Sequence, residues 1–281
     1  MKLGLALCGG GIRGIAHAGI LKAFEENDIV PYCVSGTSAG SYVAILYSIG
    51  YTALEIYKLF KTYANELIGK SINEIVFDQF IFNQKIKLDG FRSGETIEKL
   101  FNEMALKKGY KNISDIKTPI AICSTNLKTE KECVFIVNEI KRSKNKEYVN
   151  SSKIGLAARA SSSLAIVFDP CFFEDKILMD GGTLNNVPVD EARNLGADFV
   201  VGINFEGNPI NKLSNMVDIG MKTLDMMGNK ISEFNILDAD LQITVDTDGA
   251  GLLDIEKLDY CYDSGYRKGL ELVKILKKEN I

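Results

Sequence analysis

Tyr32-Cys33-Val34-Ser35-Gly36-Thr37-Ser38-Ala39-Gly40 decides how the rest of the chain is read. Tyr32 to Ser35 suits a short buried strand, Gly36 and Gly40 mark a tight turn, and Ser38 opens a helical stretch through Ile49. The same order occurs once upstream. Lys2-Leu3-Gly4-Leu5-Ala6-Leu7 is an apolar run that leads into Gly9-Gly10-Gly11-Ile12-Arg13-Gly14. Ile12, Ile15, Ala16, Gly19, Ile20, Ala23 and Phe24 then recur at helical spacing up to Asn27. Strand, glycine turn and helix, twice in succession, predict the start of a parallel α/β sheet.

Further along, Thr52 to Leu67 is amphipathic, and Ser93-Gly94-Glu95 begins a helix to about Lys107. Thr118 to Asn126 and Glu132 to Val137 predict an antiparallel pair around Lys128-Thr129-Glu130. Ser151 to Ser163 is a small-residue helix suited to close packing. Lys176-Ile177-Leu178-Met179 reads as a strand delivered straight into Asp180-Gly181-Gly182. After a short helix from Pro188, Asp198 to Asn204 and Leu241 to Val245 read as strands. Leu213 to about Leu237 and Glu256 to Lys278 read as helices. No repeat, low-complexity tract or linker interrupts the pattern. The expectation is one domain over residues 1–281, a three-layer α/β/α unit with a mainly parallel central sheet.

Composition narrows the function classes. The 281 residues are 46% hydrophobic and 25% charged, enough for a sizeable core. A net charge of −4 lacks the basic footprint that nucleic acid requires. Lys141-Arg142-Ser143-Lys144-Asn145-Lys146 is the one local basic run, read as a solvated loop. Six cysteines are scattered without metal-ligand spacing, several in apolar runs, which suits a reduced, cytoplasmic protein. The apolar part of Met1 to Cys8 is too short for a signal peptide. The uncharged stretch between Asp28 and Glu55 is broken by Pro31, Gly36, Gly40 and Gly50, so it reads as strand, turn and helix rather than a membrane span. At most the chain would visit a membrane surface.

The chemistry gathers at the two glycine turns. Gly36-Thr37-Ser38-Ala39-Gly40 is a G-x-S-x-G match, which alone occurs by chance in roughly one chain in ten of this length. Its place between a strand and a helix is what a nucleophile elbow requires. Gly9 to Gly14 also fits the dinucleotide pattern G-x-G-x-x-G, but Val34 stands near where a ribose-binding acid belongs. The other reading is an oxyanion hole of exposed backbone amides, with Arg13 holding the loop, attracting an anionic headgroup or forming a structural ion pair.

The chain has a single histidine, His17, inside a helical pattern where packing is its ordinary role. A carboxylate can serve Ser38 as base if it touches the hydroxyl and is partly desolvated. Asp180, at a strand end before two glycines, is the best-placed acid. Two apolar segments suit either ordinary core, the commoner role, or an acyl channel: Phe77, Phe80, Ile81 and Phe82, and a helix carrying Met216, Met221, Met226 and Met227.

In motif order the chain resembles the patatin-like phospholipase family over most of its length. The matching segments are Gly9 to Gly14 with Ile15-Ala16-His17-Ala18-Gly19, the elbow Gly36 to Gly40, Arg159-Ala160-Ser161, Asp180-Gly181-Gly182 and Asn185-Asn186-Val187-Pro188-Val189. The resemblance implies a patatin-like architecture related to α/β-hydrolases. It implies a Ser38–Asp180 dyad, an oxyanion hole from Gly9, Gly10, Gly11 and Gly14, and support from Arg13, Gly36, Gly40, Gly181 and Gly182. It implies hydrolysis of lipid acyl esters without a metal or organic cofactor, and a helix histidine that takes no part. One departure concerns the pocket wall: where the family has proline before Gly-Val-Phe, this chain has Ala165 before Ile166-Val167-Phe168. A nucleotide-binding protein and a catalytically silent lipid- or partner-binding member are the competing readings.

Overall fold

The structure, a computed structural model, describes residues 1–68, 93–139, 141–207, 216–279 and 281. The first turns fold much as their spacing implies. β1 (Leu3–Leu7) leads through a 3₁₀ turn at Gly11–Gly14 into α1 (Ile15–Glu25), and β2 (Cys33–Thr37) leads through Ser38 into α2 (Ala39–Ser48). α3 (Ala53–Ile68), α4 (Glu95–Lys107), β3 (Ile120–Asn126) and β4 (Lys131–Val137) follow. Next come β5 (Glu147–Val149), α5 (Ile154–Ser161), β6 (Cys171–Phe173), β7 (Lys176–Asp180) and α6 (Val189–Asn194). β8 (Phe199–Phe205), α7 (Met216–Asn235), β9 (Leu241–Val245) and α8 (Leu258–Lys278) complete the order.

The strands form one sheet in the order β5-β4-β3-β2-β1-β8-β9, with β7 on β3 and β6 on β7. Most neighbours are parallel; β3 with β4, β3 with β7, and β6 with β7 are antiparallel. β1 is buried along its whole length, as a parallel strand covered on both faces should be. Each fully buried leucine there contributes about 1.5–3 kcal/mol.

Successive side chains point to opposite faces, so two layers can be assigned residue by residue. Cys33, Ser35 and Thr37 face the segment around α6: Cys33 Sγ is 3.6 Å from the Ala192 carbonyl, Ser35 Oγ donates to the Pro188 carbonyl at 2.7 Å and Thr37 Oγ1 to the Asn185 carbonyl at 2.8 Å. Gly36 turns the other way, against the Gly40 backbone in α2, and α1, α3 and α8 share that layer. Helices therefore cover both faces of the sheet.

One expectation needs correction. Lys141, Arg142, Lys144 and Asn145 of the basic run are exposed as a solvated loop would be, but its last residue is not. Lys146 is nearly buried and reaches Glu132 Oε2 at 2.8 Å, Glu191 Oε1 at 2.8 Å and the Asp190 carboxylate. Asn185 Nδ2 adds bonds to Glu132 and Asp190 at 2.9 and 2.8 Å. Burial opposes the Lys146 charge, but Asp190, Glu191 and Glu132 outweigh it and hold its pKa above the ordinary value. The three carboxylates lie close enough to hold a metal ion, and the ammonium of Lys146 reaches each of them. The strand before Asp180 is one of the antiparallel minority in the sheet. It does not run parallel to β2 but arrives from the opposite direction, as the second arm of a hairpin with β6.

Candidate active site

That antiparallel arrival brings Ser38 and Asp180 together. β3 is long enough to carry two partners along one edge. Ile120 to Cys123 pair with Val34 to Thr37 of β2, and Ser124 to Asn126 pair with Asp180 to Leu178 of β7. β2 thus ends beside Cys123 and β7 ends beside Ser124, so the two strands meet head to head. Ser38 and Asp180 stand at the junction, and Ser38 Oγ donates to Asp180 Oδ2 at 2.6 Å.

The elbow is built under strain. Ser38 has φ 51° and ψ −123°, a conformation costly for a residue with a side chain. Its surroundings hold it there. The Ser38 amide donates to Ser161 Oγ at 2.9 Å, and Ser161 in turn donates to the Cys123 carbonyl at 2.6 Å. Ser41 Oγ donates to the Ser38 carbonyl at 2.5 Å. Gly40 lets α2 start directly beneath β1, because a Cβ at that position would lie 2.3 Å from the Leu7 carbonyl oxygen.

Asp180 is buried and, among the described residues, forms no ion pair. Its other oxygen accepts from the Gly182 amide at 2.8 Å, while Gly181 packs on the Cys123 backbone. Burial pushes the Asp180 pKa up to about 6, and the bonds from Ser38 and Gly182 offset only part of that rise. The carboxylate is therefore unusually basic and already bonded to the hydroxyl it would deprotonate. His17 is in a different situation. Its Nε2 lies 3.0 Å from the Cys8 carbonyl, its ring packs 4.9 Å from Phe205, and burial lowers its pKa to about 4. It is a packing residue.

The glycine turn of residues 9–14 borders the same cavity, a space of about 120 Å³ lined by Gly9, Gly10, Gly11, Arg13, Ser38 and Asp180 on its polar side. Its donors are not equivalent. The Gly9 amide is committed to the Asn186 carbonyl at 3.2 Å, whereas the amides of Gly10 and Gly11 have no partner among the described residues. Gly14 lies outside the lining and packs against Ala39. Of these four glycines, Gly10 and Gly11 thus combine a place in the lining with an uncommitted amide. Gly11 requires glycine twice over: φ is +60°, and a Cβ would fall 2.0 Å from the Leu252 carbonyl oxygen. Arg13 is buried; its Nε donates to the Gly10 carbonyl at 3.0 Å and its Nη2 pairs with Asp225 of α7 at 2.5 Å.

Tyr42, Leu67, Leu164, Phe168, Leu224 and Ile231 form the apolar wall. Of the methionines expected there, Met227 joins the lining and Met221 is buried, but Met216 and Met226 are exposed. The segment with Phe77, Phe80, Ile81 and Phe82 lies outside the described residues. Ile166, where the chain departs from the family pattern, has φ 76°, an uncommon conformation for a β-branched side chain. Sequence reading missed Asn186, Ser232, Asn235 and Asp225. Asn186 accepts from Gly9, donates Nδ2 to Ser232 Oγ at 2.7 Å and bonds the Asn235 side chain through its amide at 2.8 Å. Only the Asn185-Asn186 pair gave a signal, and it carried no role.

Residues 5–193 match the family described as Patatin-like phospholipase. Lysophospholipase nte1 of Aspergillus fumigatus is 26% identical over 99% of this chain and 18% of its own length. Lysophospholipase NTE1 of Meyerozyma guilliermondii is 30% identical over 72% of this chain and 12% of its own. The chain thus spans less than a fifth of the length of these curated relatives. Among solved structures, VipD from Legionella pneumophila superposes with a TM-score of 0.52 at 16% identity, covering 97% of this chain and 67% of VipD. ExoU, in its complex with SpcU from Pseudomonas aeruginosa, gives 0.51 at 18% identity, covering 98% of this chain and 51% of that one. Both likenesses concern the fold. The chain belongs to the patatin-like phospholipase family.

Proposed function

We propose that this family member hydrolyses carboxylic ester bonds of acyl lipids, with Ser38 as nucleophile and Asp180 as its base. The observation that carries the reading is the 2.6 Å bond from Ser38 Oγ to a buried carboxylate whose pKa is raised to about 6. Asp180 takes the Ser38 proton as the oxygen attacks the ester carbonyl. The carbonyl oxygen becomes an oxyanion, which the Gly10 and Gly11 amides stabilise; one such donor is worth about 2.7–4 kcal/mol in the transition state. Protonated Asp180 then gives its proton to the departing alcohol, leaving an acyl-Ser38. A water deprotonated by the same carboxylate attacks that ester, and the fatty acid leaves as Ser38 recovers its proton.

The apolar wall suits an acyl chain. The relatives named lysophospholipases make a single-chain phospholipid the first substrate to try. Among the described residues no helix is long and apolar enough to cross a membrane. The rim of the cavity nevertheless continues onto the outer face of α7, where Met226, Met227 and Phe234 are more than half exposed. That continuity suits transient contact with the lipid surface that supplies the substrate. The test is fatty-acid release from lysophospholipid, diacyl phospholipid and neutral glyceride by the purified chain and by Ser38→Ala. Release from at least one class, lost in the variant, is expected. Undiminished release by Ser38→Ala, or none from any class, overturns the reading.

A further inference from the structure

We infer that Asp225 of α7 is a positioning residue that aims the Gly11 oxyanion amide, acting through Arg13. The inference rests on the proposed role of Gly10 and Gly11 and adds how the second of those donors is oriented. A peptide unit is planar and trans, so its carbonyl and its N–H point in opposite directions. The Gly10 carbonyl and the Gly11 amide belong to one such unit. Whatever holds that carbonyl therefore fixes the direction of the Gly11 N–H.

Arg13 holds it twice, with Nε donating at 3.0 Å and its backbone amide at 3.3 Å, and Nε is the shorter bond. A guanidinium is a rigid planar fork, so the direction of Nε is set by what grips the other end. Asp225 Oδ1 grips Nη2 at 2.5 Å, and the side chains of Arg13 and Asp225 are 2% and 6% exposed. Phe205 packs beneath, its ring centre 5.9 Å from the guanidinium carbon. Burying two charges does little for stability by itself, since desolvation consumes most of the attraction. The pair does, however, join the glycine turn to α7 beside the nucleophile. α7 also holds the other end of the turn, where Ser232 and Asn235 bond Asn186 and the Asn186 carbonyl accepts from Gly9. One helix thereby fixes both flanks of the two free amides.

The test uses steady-state hydrolysis of p-nitrophenyl butyrate together with binding of an alkyl trifluoromethyl ketone, whose adduct with the serine carries the same oxyanion. Asp225→Asn keeps the size and one acceptor oxygen but removes the charge that grips the fork. It is expected to lower kcat about 10- to 100-fold with little change in KM, as small misplacements do. Ketone affinity should weaken by a similar factor in protein that melts as wild type does. Should that variant fail to fold, Arg13→Lys keeps a cation but cannot donate from a rigid Nε, and the same loss of kcat is expected. Unchanged or increased kcat, or a loss that follows KM or the folded fraction while ketone affinity holds, overturns the inference. Ser38→Ala, assayed alongside, separates the outcomes: if it retains turnover, the reading of the site fails rather than the role of Asp225.

Discussion

Two carboxylate sites beside the same sheet carry opposite electrostatic arrangements. Around Lys146, Glu132, Asp190 and Glu191 share one ammonium, and Asn185 adds two further bonds. At the junction of β2 and β7, Asp180 is buried with a hydroxyl and an amide but no ion-pair partner among the described residues. Burial that is offset by a cation produces a fixed crosslink. Burial without one produces a base. Asp180 shows the consequence in its pKa of about 6, well above that of an ordinary aspartate.

The largest effect should come from removing the unpaired carboxylate. Asp180→Asn is expected to lower ester turnover by about 10²–10⁴-fold, the span typical of base assistance. His17→Gln should leave turnover near wild type. Parallel initial-rate assays decide, and a greater loss at His17 would reverse the assignment of the base.

Removing the paired cation should act on stability instead. Lys146→Met leaves three carboxylates facing one another and is expected to cost about 3–5 kcal/mol in denaturant unfolding. Turnover per folded molecule should be unchanged. A loss of activity in fully folded Lys146→Met would show that the two sites are coupled.

Asp180→Asn should also be more stable than wild type at high pH. A carboxylate whose folded pKa lies above its unfolded value is favoured in the folded state while protonated. Its contribution is present below about pH 4 and is lost as pH rises through about 6. Wild type therefore gives up about 3 kcal/mol at pH 8, since a tenfold change in proton affinity between the folded and unfolded chain is worth about 1.36 kcal/mol. Unfolding curves of Asp180→Asn should show a gain of that order at pH 8 that disappears near pH 4. A gain independent of pH would mean that Asp180 is not strained by its charge.

The smallest effect concerns Ile166. Its φ of 76° suits glycine, so Ile166→Gly should relieve about 1–3 kcal/mol of backbone strain, less the packing of the lost side chain. A small net change in melting is expected. Strong destabilisation would show that packing of the side chain outweighs the strain.

Which of these sites could be read from sequence follows from how local their causes are. Ser38 and Asp180 announce themselves because a glycine turn and a strand end are short, contiguous signals. The way they meet was hidden, since nothing along the chain shows that β3 divides one edge between β2 and an antiparallel β7. Lys146 lies in a run that looks solvated because its acid partners come from β4 and α6. β5 and β6 have three residues each, too few to show a period. Asp225 stands 212 positions from the arginine it pairs with, and only the folded sheet brings them together.

The most direct test of Asp180 as the base for Ser38 is the rate of fluorophosphonate labelling of Ser38 across pH, in wild type and Asp180→Asn. A wild-type rate that climbs through a midpoint near 6 to a plateau, and a slow, flat rate in the variant, are expected. Labelling of Asp180→Asn at the wild-type rate would contradict the role of that carboxylate.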